Sequence, residues 1–131
     1  NKKVAVIGHF PNLEELIPYC QLSILERNPQ GLDFPDPACE YILPRQEIVF
    51  ITGTAFTNKT MPRLLTLAKD SQIILVGPTV PISGVLFNYN VDIISSTVVL
   101  DEELVWTAVK LGGKMKAFKS GGQMVNIKKL C

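Results

Sequence analysis

Long hydrophobic runs, an excess of one charge and metal-ligating clusters are all missing from this sequence. The longest apolar stretches, such as Ile73 to Val76, are far too short to span a bilayer. Thirteen basic residues face twelve acidic ones, for a net charge of +1, with no basic stripe or acidic tail. That balance argues against a nucleic-acid footprint and against a solvated interaction tail. The chain holds one histidine, His9, and three cysteines, Cys20, Cys39 and Cys131, with no CxxC spacing. Without HExxH or clustered Cys and His, a closed structural zinc site is excluded. A disulfide framework is equally disfavoured, so a reducing cytoplasm is the expected compartment. The opening residues, NKKVAVIG, enter a strand directly, with neither an initiator Met nor a signal-peptide apolar segment. This fits a chain trimmed at its start or cut from a longer protein.

Three phosphate and nucleophile motifs are also absent. The first predicted strand ends in GHFP, where dinucleotide binding needs GxGxxG for a close backbone approach to pyrophosphate. No Gly precedes Lys59, so TGTAFTNKT is not a P-loop, and no GxSxG elbow exists.

What is present is the composition of an ordinary globular domain, 47% hydrophobic and 19% charged over 131 residues, enough for one buried core. Apolar β-rich runs alternate with helical patterns, the sign of βαβ units. Strands are expected at Lys3 to Ile7, Gln21 to Leu25, Glu47 to Ile51 and Ile73 to Val76. VDIIS and TVVL read as two further short strands, and MVNI as a terminal one, paired with KMKAF in a hairpin. Asn12, three residues before Glu15, predicts a capping box opening a helix that turns Leu13, Leu16 and Ile17 inward. Asp36 and Pro37 predict an N-cap and first position for a short helix over ACEYIL. Met61, Leu64, Leu65 and Ala68 share one helical face. Asp101 predicts the cap of a helix running to about Leu111 and closed by Gly112 and Gly113.

VAVI, IVFI and IILV are apolar at nearly every position, the pattern of strands covered on both faces. The fold expected is therefore α/β, a single Rossmann-like domain over residues 1–131 with a doubly wound, mostly parallel sheet and helices on both faces. Ligands of such sheets bind beyond the carboxyl ends of the strands, where strand order reverses. Four segments then become candidates: Gly8 to Pro11, Glu26 to Pro29, Thr52 to Thr60 and Gly77 to Ser83.

His9 stands at the mouth of that expected site, as a ligand or proton-transfer residue or as a loop histidine bonded to backbone. Glu26 falls where Rossmann proteins keep the carboxylate that accepts from a ribose hydroxyl, though many strands end in an acid. Asn28 and Pro29 most simply make a turn. Thr52, Gly53, Thr54, Asn58, Lys59 and Thr60 lie between a buried strand and a helix, a density of hydroxyl and amide groups suited to an anion. A plainer reading has Thr60 as an N-cap and Asn58 as a turn residue, which leaves the other hydroxyls unexplained. Gly77 and Pro78 open a stiff loop suited to a pre-formed site, or simply end the strand. Met61, Met115 and Met124 read as packing residues, and Cys20 and Cys39 as ordinary small buried ones.

GHFP, LERNP, ITGTAFTNKT with its following PRLL helix, and VGPTVPISGVLF together resemble the Rossmann-like domain of the DUF364 family, over roughly Val4 to Asp101. That resemblance implies a proposed role in heavy-metal chelation. It also implies a second, N-terminal domain similar to the N-terminal fold of enolases, supplied in the same polypeptide or as a separate chain, with the site between the two. His9 is the candidate metal contact it leaves. Its hydroxyl-rich surroundings suit soft heavy metals poorly, so a metal is expected inside an organic chelator or with ligands from the other domain.

The reading that results is a domain binding a small anionic or metal-chelating ligand. Gly8, His9, Glu26, Asn28, Thr52, Gly53, Thr54, Asn58, Thr60, Gly77 and Pro78 are its expected contacts. Two alternatives come from other classes. One is an enzyme holding a nucleoside cofactor such as S-adenosylmethionine through Glu26 and GHFP. The other is a non-catalytic docking module with an apolar patch around GHFP and PISGVLF.

Overall fold

The computed structural model describes residues 1–113 and 117–130. Its framework is one seven-stranded sheet in the order β3-β2-β1-β4-β5-β6-β7. The strands are β1 (Lys2–Ile7), β2 (Cys20–Glu26), β3 (Phe34–Pro35), β4 (Ile48–Thr52), β5 (Gln72–Val76), β6 (Val91–Val99) and β7 (Gly122–Lys128). All neighbours run parallel except β6 and β7. The helices are α1 (Cys39–Ile42), α2 (Thr54–Thr57), α3 (Met61–Leu67), α4 (Glu102–Lys110) and α5 (Ala117–Gly121), with four 3-10 segments between strands. This is the mostly parallel α/β architecture expected from the apolar strands.

Register divides the central strands into two faces. Ala5, Ile7, Val49, Ile51, Ile73, Leu75 and Ile94 point to one side and are buried there against Leu43, Ala55, Met61, Leu64 and Ala68. The alternate residues, Val6, Phe50, Ile74, Val76 and Ile93, point to the other side. Of these only Val6 is fully buried. Leu13 and Leu16 lie over that face and, with Phe10, bound a groove of about 470 Å³ across β1, β4, β5 and β6. The helices thus cover the two faces unequally.

Several local expectations need correction. Asn12 does not cap: its φ is 64°, its side chain makes no cap bond, and only a 3-10 turn over Leu13–Leu16 follows. Pro18 lies too close for a longer helix, so Leu13 alone is buried while Leu16 and Ile17 are exposed. Asp36 is the first residue of a 3-10 turn, not a side-chain cap. VDIIS and TVVL form one strand, β6, because buried Ser96 satisfies its hydroxyl on the Val80 carbonyl at 2.8 Å. β7 pairs with β6 over seven residues from Ile93↔Lys128 to Val99↔Gly122. Ala117 and Phe118 open α5 instead, and Lys114 to Lys116 lie outside the described residues. The Asp101 cap is present, its Oδ1 accepting the Leu104 N–H at 2.9 Å, and Gly112 at φ 74° ends the helix.

On the well-covered face, α1 and α3 are joined by Arg63, whose Nε donates to Glu40 Oε1 at 2.8 Å and whose Nη2 donates to the other oxygen. That hydrogen-bonded guanidinium holds the Glu40 carboxyl below its usual value. The stabilisation is complete above the unfolded carboxylate's pKa and is lost as pH falls through the lower folded value. In Arg63→Gln the Glu40 titration returns to the ordinary range and the stability profile flattens across that acidic window. Carboxyl NMR titration with urea melts at each pH reads both.

Candidate functional site

Chain order reverses between β1 and β4: the polypeptide leaves β1 outward to β2 and β3, then returns to pair β4 on the opposite side. Loops leaving β1 and β4 therefore diverge, and a crevice opens between them. It holds a cleft of about 240 Å³ lined by Gly8, His9, Phe10, Glu26, Arg27 and Asp36 on one side. Thr52, Thr54, Ala55, Asn58 and Thr60 line the other.

Gly8 makes the close approach possible. Its φ is 99°, and a Cβ there would stand 3.2 Å from the Cβ and Cγ2 of Thr52. Its N–H donates to the Leu25 carbonyl at 2.9 Å, so the β1 loop is still tied to β2 as it turns. Glu26 completes that tie. One carboxylate oxygen accepts the His9 N–H at 2.9 Å and the other accepts the Arg27 N–H at 2.8 Å. A carboxylate has about four acceptor directions, so lone pairs remain for a ligand hydroxyl or amine. Glu26 is both a latch of the loop and a wall of the cleft.

On the opposite wall Thr52 Oγ1 accepts from the Thr54 hydroxyl at 3.2 Å and from its N–H at 3.4 Å. Thr54–Thr57 winds into α2, a short helix of its own inside the expected loop. Lys59 turns the chain at φ 62° before α3. Thr60 occupies the position before α3 without a side-chain cap bond, so its hydroxyl is left to the cleft. Thr60 is thus the N-cap residue of α3 by position, as the plainer reading has it, but without a side-chain cap bond.

Of the expected contacts, Gly8, His9, Glu26, Thr52, Thr54, Asn58 and Thr60 come together in this cleft. Asn28, Gly53, Gly77 and Pro78 do not line it. Asn28 is exposed in the bend after β2. Gly53 is buried beside the β5 loop, its N–H on the Val76 carbonyl at 3.0 Å, and a Cβ there would fall 2.7 Å from the Val80 nitrogen. Gly77, at φ 126°, bonds the Ser95 carbonyl at 3.0 Å. Those two glycines let β4 and β5 end side by side.

Three further charged residues stand at the site: Arg27, inside the candidate segment after β2, Asp36, expected only as a helix cap, and Asp33, which no pattern singled out. Arg27 and Asp36 line the cleft, with Arg27 Nε 3.8 Å from Asp36 Oδ2. Asp33 Oδ2 accepts from His9 Nδ1 at 3.1 Å. The one available signal was the recurrence of Asp in QGLDFPDP. The two-residue β3, which lays that loop back along β2, carries no pattern of its own. Cys39 offers no reactive thiol, since burial pushes it up, with Asp36 and Glu40 adding to the effect. Among the described residues no three His, Cys, Asp or Glu side chains stand together in a way that would hold a metal ion.

A family described as "Putative heavy-metal chelation", DUF364, matches residues 1–128. The chain belongs to the DUF364 family. A crystal structure of a DUF364 protein of unknown function from Desulfitobacterium hafniense superposes with a TM-score of 0.91 and 44% identity, covering 98% of this chain and 53% of the other. A second, from Pyrococcus horikoshii, has a TM-score of 0.86 at 24% identity and covers 98% and 54%, a likeness that bears on fold alone. An uncharacterised protein of Methanocaldococcus jannaschii is 29% identical over 130 residues, covering 93% of this chain and 50% of the relative. This DUF364 chain spans about half the length of the relatives it matches.

Glu26→Gln tests the latch. A carboxamide keeps one acceptor oxygen and turns an NH₂ toward a backbone N–H, leaving one of the two donors unmet. The expected loss is about 0.5–1.5 kcal/mol, read as a lower urea midpoint with faster amide exchange at His9 or Arg27.

Proposed function

We propose that this DUF364 domain binds a small polar ligand in the β1/β4 crevice, one end carrying a hydroxyl or amine and the other an anionic group. The observation that carries this reading is the division of the cleft into two unlike walls. Glu26 and Asp36 offer acceptors on one side, with the cationic Arg27 beside Asp36, while Thr54, Asn58 and Thr60 offer donors on the other. Heavy-metal chelation enters as cargo. The residues present do not fit a protein-only metal centre, because among the described residues no second and third donor stand grouped with His9. Hard oxygen ligands also suit soft metals poorly. A metal would therefore travel within an organic chelator, and His9 would contact the complex rather than hold the ion alone. Unpaired Cys20 and Cys39 are consistent with a cytoplasmic setting. Among the described residues no helix is long and apolar enough to cross a membrane.

Native mass spectrometry with metal analysis of the same sample is the first test, with a co-purifying organic ligand or chelate expected. A sulfate titration followed by amide NMR reads the anionic subsite. Shifts are expected at Thr54, Asn58 and Thr60, and affinity falls about threefold to tenfold in Asn58→Ala, the loss of one net hydrogen bond. Sulfate shifts confined to other surfaces would remove this reading.

A second observation favours a partner half. Parallel sheets are normally covered on both faces, yet Phe50, Ile74, Val76 and Ile93 remain only half-buried along an apolar groove. The relatives are about twice as long. Their additional half, which the family resemblance makes an enolase-like domain, is the occupant we assign to this face, by an apolar helix laid across the strands. The chain alone is expected to enhance the fluorescence of an apolar dye, and Phe50→Gln to remove most of that signal. Undiminished dye binding in the variant would shift the apolar surface to the exposed Ile82 and Val85 of the β5 loop.

A further inference from the structure

The single histidine of the chain is held in a way that ligand binding by itself does not require. His9 Nδ1 lies 3.1 Å from Asp33 Oδ2, and the Asp33 side chain is only 5% exposed. Asp33 is itself fixed in a turn: its Oδ2 also accepts the Gln30 N–H at 3.1 Å, and its own N–H donates to the Gln30 carbonyl at 3.0 Å. The backbone of His9 is pinned from the other side by Glu26, through the 2.9 Å bond from its N–H. Both the position and the ring orientation of the imidazole are thus determined by groups that belong to the β2–β3 segment.

An ionised carboxylate accepts and cannot donate. Nδ1 must therefore carry the proton of the neutral ring, which leaves the lone pair on Nε2. Nε2 stands 3.8 Å from Glu14 Oε1, beyond hydrogen-bond length, on an exposed side chain. The lone pair is uncommitted, and His9 forms part of the cleft wall. An imidazole oriented by a buried carboxylate, in a residue that lines a ligand cleft, is the arrangement of a positioned base.

We propose that His9 accepts a proton from the ligand bound in this cleft, with Asp33 as its positioning residue. This rests on the ligand-binding reading above and adds an activity to it. In the step, an O–H or N–H bond of the ligand breaks, the Nε2–H bond forms, and the electron pair stays on the ligand's oxygen or nitrogen. For a metal-binding ligand, that pair is the one that becomes available to the ion. The charge gained by the ring is faced by Asp33 from the turn after β2 and by Glu14 from the 3-10 turn. Glu26 and Arg27, from the end of β2, are the other charged groups around it.

Because there is one histidine, the imidazole ¹⁵N spectrum of the folded chain is unambiguous. Near pH 8, above the ordinary histidine range, the expected wild-type signals are those of a ring protonated at Nδ1. Free histidine prefers the opposite tautomer. Asp33→Ala is expected to move the tautomer ratio about tenfold toward Nε2–H, the effect of losing one hydrogen bond to a charged group. Carbethoxylation by diethyl pyrocarbonate, which needs a free ring lone pair, reads the accessibility of Nε2 in the wild type. In the wild type, saturating sulfate is expected to slow the same reaction if Nε2 faces the cleft. A wild-type ring protonated at Nε2 overturns the proposal without any variant, and a tautomer unmoved by Asp33→Ala overturns the role of Asp33. Sulfate shifts absent at Thr54 and Asn58 count against the ligand reading alone, since the tautomer is measured without ligand.

Discussion

Parallel pairing of β1 on both of its edges is the constraint from which the rest of this DUF364 domain follows. With β2 on one side and β4 on the other, the connection leaving β1 and the connection leaving β4 must run in opposite directions. The loops at the carboxyl ends of β1 and β4 then separate instead of packing on each other. Gly8 stands at that separation, pressed on Thr52 where a side chain would not fit. Glu26 ties the β1 loop down through two backbone N–H groups, which converts a gap between loops into a cleft with defined walls.

The same strands present two very different faces. Against α1 and α3 the residues are fully buried and form the core. On the reverse face equally apolar residues are only partly covered, by Phe10 and a single 3-10 turn. Burial of apolar surface is the dominant favourable term in folding and in association. A side that is apolar yet half-covered therefore fits the greater length of the relatives. A covering half seated there would lie against Phe10, which lines both the groove and the cleft. Cleft and groove meet at that one ring.

The heavy-metal description of the family sits unevenly on the chemistry of this half. Its cysteines are dispersed, and the thiol of Cys39 is pushed up by burial. Its histidine is engaged by a carboxylate rather than grouped with other ligands. Oxygen and amide groups dominate the walls. An organic chelate handled as a small molecule is compatible with those walls, and a bare soft cation is not.

How much of this was legible beforehand varies by element. VAVI, IVFI and IILV announced a parallel sheet through their unbroken apolarity, and the Asp101 cap was readable from local spacing, because both signals are carried by neighbouring residues. The Asn12 capping box failed because Pro18 cut its helix to a single turn. The split of β6 into two strands failed because a buried serine there is satisfied by a distant carbonyl. Strand-end reasoning brought His9, Glu26 and the threonines to the right end of the sheet. It did not find Asp33, which reaches His9 only because β3 folds the loop back along β2. The sequence by itself determined the fold class and the strand ends at which chemistry would gather, since periodicity and strand-terminal residues are local. Only the tertiary structure decided which of those residues share a cleft, which nitrogen of His9 is left free and which sheet face stays half-open, since these depend on register and chain reversal between segments far apart in sequence.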